Sequence, residues 1–261
     1  MLAHHQQTID RLTDHFRADP TCLALIIGGS VAKGLARPDS DIDFVLVATD
    51  EDYARRAQEH AFQYFSLDFS DYEGGYVDGK VIDLAFMRDV ADRGSEPARF
   101  AFKDAIITYS RVPELPELLA QMTQYPEAKR ARKMQSFYAQ LQALKWFIGE
   151  AEKRRDPYLM THVVADMVLF GGRLILAYNR VLYPYHKWFM TELTRAPEKP
   201  ENLMALIEQL LANPCQANAD SFCDAVFDFT DWDEPPEGWP SRFMVDVEWT
   251  WRTGFTPIAD W

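Results

Sequence analysis

The sequence predicts an α+β protein, with a small mixed-sheet core followed by an all-helical C-terminal domain. Three observations carry that expectation. Up to residue 115, short apolar runs of strand length alternate with amphipathic stretches. Val112-Pro-Glu-Leu-Pro116 then marks a break. Beyond it the apolar residues recur at helical spacing, with Phe137, Leu141, Leu144 and Ile148 on one face of a long helix. The expected domains are 1–115 and 120–261.

In chain order, His4 to Ala18 reads as an amphipathic helix with Ile9, Leu12 and Phe16 on one stripe, stopped by Asp19-Pro20. Cys22-Leu-Ala-Leu-Ile-Ile27 is a short apolar strand running into Gly28-Gly29-Ser30. Val31 to Leu35 is expected to be a turn or a short helix. Asp41-Ile-Asp-Phe-Val-Leu-Val47 alternates strictly at first and has the β-branched content typical of a strand. Asp50 to Gln63 opens with an acidic cluster suited to a helix N-terminus. Asp78-Gly79 has the composition of a two-residue hairpin turn and predicts a third strand over Val81 to Phe86. Ile106 to Tyr109 is a fourth. After the break, Glu127 to Arg155, Leu159 to Val181, Asn202 to Ala212 and Ala219 to Phe229 favour helix, and the Trp-rich tail from Trp232 to Trp261 has no clear pattern.

Composition excludes several functional classes. Forty acidic against 27 basic side chains give a net charge of −13 over 261 residues. Proteins that hold polyanions neutralise phosphates with Lys and Arg, so a nucleic-acid polymer or an anionic membrane surface is not the expected partner. A hydrophobic content of 48% argues against disorder. Cys22, Cys215 and Cys223 fit neither a disulfide framework nor zinc spacing. No apolar run approaching a membrane span and no secretory signal are read, so a cytoplasmic location is expected.

Chemistry is carried by Gly28-Gly29-Ser30, a ten-residue gap, Asp41-x-Asp43 and then Asp83. The glycines let backbone approach a ligand closely. Ser30 opens a turn whose N–H groups and hydroxyl suit a phosphate. Asp41 and Asp43, two apart on a strand, project from one face and repel each other unless a cation intervenes. Such oxygen ligands select hard ions, and Mg²⁺ takes one or two carboxylates together with substrate phosphates. With Asp83 on a later strand of the same sheet, the set suits two-metal phosphoryl transfer. No Gly-Lys-Ser/Thr follows the glycines, so this is not a Walker loop.

Ile26-Ile-Gly-Gly-Ser-Val-Ala-Lys-Gly34 followed by Ser40-Asp-Ile-Asp-Phe-Val-Leu46 resembles the nucleotidyltransferase superfamily related to DNA polymerase beta. The layout is similar to aminoglycoside-type adenylyltransferases and to minimal nucleotidyltransferases with a helical C-terminal domain. The resemblance covers about residues 20–112, and the helical half only in architecture. It implies that Gly29 and Ser30 contact phosphate, that Asp41 and Asp43 bind metal, and that Asp83 is the third metal-binding carboxylate, contacting the catalytic ion and helping to deprotonate the acceptor hydroxyl. It also implies a phosphate-binding lysine from the second domain, for which Lys187 within Tyr183-Pro-Tyr-His-Lys-Trp-Phe189 is the candidate. Asp166, amid apolar neighbours, is a candidate general base or acceptor anchor, or alternatively a partner of Arg173.

The expected activity is transfer of a nucleoside monophosphate, AMP from ATP with two Mg²⁺ ions, onto a hydroxyl of a small-molecule acceptor, releasing pyrophosphate. The alternatives are a protein-AMPylating enzyme and a nucleotide-binding sensor without turnover. The net negative charge disfavours members that extend a nucleic acid and suits a small, cationic acceptor.

Overall fold

The computed structural model describes residues 1–254, 256 and 258. Positions 255, 257 and 259–261, at the end of the expected helical domain, lie outside the described residues. The chain divides into two units, Met1–Gln124 and Tyr125–Trp261.

In the first unit, α1 (Ala3–Ala18) buries Ile9, Leu12 and Phe16. The chain turns at Asp19, whose carboxylate accepts from the Thr21 N–H and hydroxyl, into β1 (Cys22–Ile27). A single helical turn, α2 (Gly29–Ala32), leads to β2 (Ile42–Ala48). The Thr49 hydroxyl caps α3 (Asp50–Glu59), and three acids occupy its first turn, where the helix dipole favours them. Next come β3 (Gln63–Ser66), β4 (Val77–Ile82), α4 (Leu84–Arg93), α5 (Glu96–Ala101), β5 (Ile106–Ser110) and α6 (Leu115–Met122).

Among the described residues the strands form one mixed sheet in the order β3-β4-β2-β1-β5, with β2 and β4 parallel and the other pairs antiparallel. Alternation along β2 and β4 assigns side chains to two faces. Ile42, Phe44, Leu46, Val77 and Val81 pack with the stripe of α1. On the opposite face, Ala24, Ile26, Val47 and Ile82 pack with Met87 and Val90 of α4 and with Leu115, Leu118 and Met122 of α6. That second layer is tied by Arg99, which is 4% exposed. Its guanidinium donates to the carbonyls of Ala91, Asp92, Gly94, Met122 and Gln124, where α4 and α6 end.

Four features differ from the sequence expectation. The segment ending at Gln63 leaves helix at Glu59 and re-enters the sheet as β3. Asp78-Gly79 lies inside β4 and makes no hairpin turn. Glycine is required at 79 because a Cβ there would sit 2.2 Å from the Phe44 ring. The strand expected over Val81 to Phe86 stops at Ile82, and Leu84 begins α4. The first unit also extends to Gln124, because Pro116 stands in the first turn of α6, where proline is tolerated, and so does not open a linker.

The second unit is helical: α7 (Arg130–Arg154), α8 (Pro157–Tyr178), α9 (His186–Arg195), α10 (Leu203–Ala212), α11 (Gln216–Phe227) and the short α12 (Trp239–Phe243). Asp156 caps α8 by accepting from the Tyr158 and Leu159 N–H groups. By length and composition α8 could cross a membrane, contrary to the sequence reading; half of its apolar stretch is buried in the protein. His162, Asp166 and Arg173 interrupt the run in sequence and masked it. Gly171 and Gly172 of α8 let Phe222 of α11 and Phe189 of α9 press onto the helix; a Cβ at either glycine would lie within 2.5 Å of a ring atom.

Replacing a helix-interior glycine with alanine gains about 1 kcal/mol of propensity. Overpacking a core costs about 1–3 kcal/mol. Phe222 is fully buried and cannot yield, so Gly171→Ala is expected to lower the urea unfolding midpoint. Adding Phe222→Leu should restore part of it.

Candidate active site

The site begins where β1 ends. The Gly28 N–H donates to the Asp43 carbonyl at 2.9 Å, closing the β1–β2 ladder at the start of β2. Gly29 then adopts φ +60°, and a Cβ on it would fall 1.8 Å from the Asp43 carboxylate. Glycine at 29 is therefore needed on two counts, for the left-handed backbone and for room for Asp43. Gly28 carries no such constraint, since a Cβ there would meet only ordinary contact. Ser30 is half-buried in the single turn of α2. Lys33 braces that turn by donating to the Lys103 carbonyl at 2.6 Å and the Phe100 carbonyl at 3.4 Å.

Asp41 and Asp43 flank Ile42, which is fully buried against the α1 face, so both carboxylates project from the other face. In the parallel β2–β4 pair, Asp43 lies directly across from Asp78. In-register partners on adjacent strands share a face, which makes Asp78 the third carboxylate beside the pair. The Asp78 Oδ1 accepts from Gln63 Nε2 at 2.9 Å. Tyr76 reports the convergence. Its phenol lies beside the Asp41 carboxylate, and that contact, with the negative charges of Asp41, Asp43 and Asp78, pushes the phenol above its ordinary range. Its carbonyl accepts from the Ile42 N–H at 3.0 Å, anchoring the start of β2.

Asp83 stands elsewhere. It is the N-cap of α4, with Oδ1 accepting from the Phe86 N–H at 2.7 Å. It follows Asp78 by five residues, about 16 Å along the strand at 3.3 Å per residue. An odd offset also belongs to the opposite face. The sequence reading therefore chose the wrong aspartate on this segment as the neighbour of the pair, because Asp78-Gly79 mimics a turn. In-register pairing with β2 is the signal that finds Asp78, and a single sequence does not display it.

Within the second unit, Lys187 is exposed in the first turn of α9, with Nζ 5.6 Å from the Trp188 ring centroid. Asp166 is half-buried on α8, 3.6 Å from His162 Nε2. Burial pushes its carboxyl pKa up, and His162 and His186 pull it partly back. Arg173 lies between the rings of Phe137 and Tyr183, at 4.3 and 4.2 Å.

Among the described residues, no three His, Cys, Asp or Glu side chains converge tightly enough to enclose a metal ion by themselves. The donor set does fit Mg²⁺, which is commonly held by one or two carboxylates and completed by substrate phosphates and water. Asp41 and Asp43 are the residues able to hold such an ion, with Asp78 beside them.

A mixed sheet thus sets paired carboxylates against a glycine turn. The chain belongs to the nucleotidyltransferase domain family, whose sequence model matches residues 9–159, more than half of its length. Membership makes it a transferase of nucleotidyl groups with a nucleotide substrate. A solved nucleotidyltransferase-like protein from Exiguobacterium sibiricum 255-15 is similar at 13% identity and a TM-score of 0.49, over 95% of this chain and 78% of that one. No curated protein matches the chain.

Ionising Tyr76 would add a fourth negative charge beside three carboxylates, so the stability tied to its protonated form is present below about pH 10 and is lost as pH rises through its elevated pKa. With ¹³Cζ-labelled tyrosine, NMR is expected to show Tyr76 titrating above the free phenol. Asp41→Asn should bring it down towards the ordinary value.

Proposed function

We propose that the chain transfers AMP from ATP to a hydroxyl of a small-molecule acceptor in a Mg²⁺-dependent reaction that releases pyrophosphate. The observation that carries this reading is the placement of Asp41 and Asp43 on one face of β2, level with Asp78 and against the Gly29-Ser30 turn. The N–H groups of that turn and the Ser30 hydroxyl donate to phosphate oxygens. Asp41 and Asp43 hold the metal, two ions being expected for this chemistry. Bound Mg²⁺ supplies Lewis-acid stabilisation of charge on the phosphates and acidifies the attacking hydroxyl.

The acceptor oxygen forms a bond to the α-phosphorus, and the bond from that phosphorus to the α–β bridging oxygen breaks. Pyrophosphate leaves with that electron pair. The hydroxyl proton passes to the Asp78 carboxylate, which Gln63 holds in place through its side-chain amide. A net charge of −13 favours a small acceptor over a nucleic-acid end.

Pyrophosphate release from ATP, and from GTP, CTP and UTP for comparison, across an acceptor panel tests the reading. Asp43→Asn and Asp78→Asn are each expected to reduce turnover by about 10²–10³-fold, the scale of losing one preorganised charge-stabilising group. Asp83→Asn preserves a good N-cap and should leave turnover near that of the unaltered chain. Turnover that survived Asp41→Ala combined with Asp43→Ala would reject the mechanism. A readout apart from activity is available: Mg²⁺ should lower the Tyr76 phenol pKa by neutralising its acidic neighbours, and an unchanged titration would count against metal at these carboxylates.

A further inference from the structure

A cavity of about 450 Å³ opens beside the site within the first unit, a size suited to a small ligand. Its floor is β4. Asp78, Lys80 and Ile82 alternate along the strand and share one face, so the cavity runs about 13 Å from the level of Asp78 to that of Ile82 at 3.3 Å per residue. The two ends differ in chemistry. One is acidic, where Asp78 forms part of the lining and also faces Asp43 across the sheet. The other is aromatic, lined by Tyr53, Phe62 and Phe86. Phe62 and Phe86 are 39% and 41% exposed, and Phe62 is backed by Tyr53 at 5.7 Å between centroids. Midway, Lys80 stands in register with Gln63 of β3, whose amide is committed to Asp78.

We infer that this slot is the acceptor site of the proposed transfer and that it takes a flat aromatic alcohol bearing an anionic group. The hydroxyl end lies at Asp78, the ring body against Phe62 and Phe86, and the anion at Lys80. The assignment rests on the proposed nucleotidyl transfer. It differs from the cationic acceptor that net charge alone suggests, because the cation lining the slot belongs to the protein. Shape supports the same class: a planar ring system offers apolar area with few rotors to immobilise, and aromatic walls bind it by offset or edge contacts.

The test uses the full chain and 3-hydroxy-2-naphthoate, whose hydroxyl and carboxylate share one end of the ring system, followed by its own fluorescence, with 2-naphthol as the uncharged comparison and Mg²⁺–ATP binding measured in parallel by calorimetry. Saturable binding of one hydroxynaphthoate is expected. Phe62→Ala with Phe86→Ala should weaken it about tenfold or more while leaving Mg²⁺–ATP binding unchanged. Lys80→Gln should weaken hydroxynaphthoate and leave 2-naphthol unaffected. Asp43→Asn should impair Mg²⁺–ATP binding and spare the naphthoate. Mg²⁺–ATP binding without hydroxynaphthoate binding, or naphthoate binding indifferent to the double ring variant in a protein of native circular dichroism, overturns the slot alone. Loss of ATP affinity in the ring variant would make the slot a base pocket and overturn the acceptor assignment. A protein that bound the naphthoate but no Mg²⁺–ATP would overturn it through the transfer chemistry on which it rests.

Discussion

The contact between Asp43 and the Gly28-Gly29 turn is the constraint from which the acidic site follows. A hydrogen bond from the Gly28 N–H to the Asp43 carbonyl fixes where β1 ends against where β2 begins. The missing side chain at Gly29 then lets the Asp43 carboxylate lie on the turn itself. Once those two atoms are set, period-2 alternation fixes Asp41, and in-register pairing of β2 with β4 fixes Asp78. Tyr76 closes the arrangement, since its carbonyl accepts from the Ile42 N–H and its phenol lies beside Asp41. A cluster of carboxylates is thereby assembled by backbone geometry.

Much of this was legible because it is local. The stripe of α1, the apolar run of β1, the alternation of β2 and the helical spacing of α7 each depend on neighbours within a few residues, and each element forms close to where the sequence places it. Gly29, Asp41 and Asp43 were readable for the same reason. What escaped depends on partners distant in the chain. β3 follows a helix after three residues and makes its bonds to β4, so nothing in Gln63 to Ser66 announces it. Gly79 is glycine for the sake of the Phe44 ring, yet beside Asp78 it spells a turn. Asp83, preceding an apolar stretch, serves as a helix cap where alternation suggested a strand. α9 was hidden because Tyr183 to Phe189 reads as an aromatic cluster, and its helix starts only at His186.

The two units use glycine and charge in contrasting ways. In the first, glycine makes room for a carboxylate and for an aromatic ring in a sheet. In the second, adjacent glycines in α8 admit rings from α9 and α11, so helix propensity is surrendered to packing. Asp52 shows the acidic composition used structurally: nearly buried in the first turn of α3, it is held at 2.6 Å by both Arg55 and Arg56, with its pKa drawn down by those hydrogen bonds against the upward push of burial.

Arg99 has a consequence for how the sheet layer responds to solution conditions. Among the described residues its partners are five backbone carbonyls and no carboxylate. An acid-paired arginine loosens when the acid is protonated, and an exposed pair fades as ions screen it. Neither lever reaches this joint, because its acceptors are peptide carbonyls, which do not titrate. In a chain of net charge −13, whose ionic contacts elsewhere vary with buffer, the ends of α4 and α6 are fastened by a clasp indifferent to acidity and ionic strength.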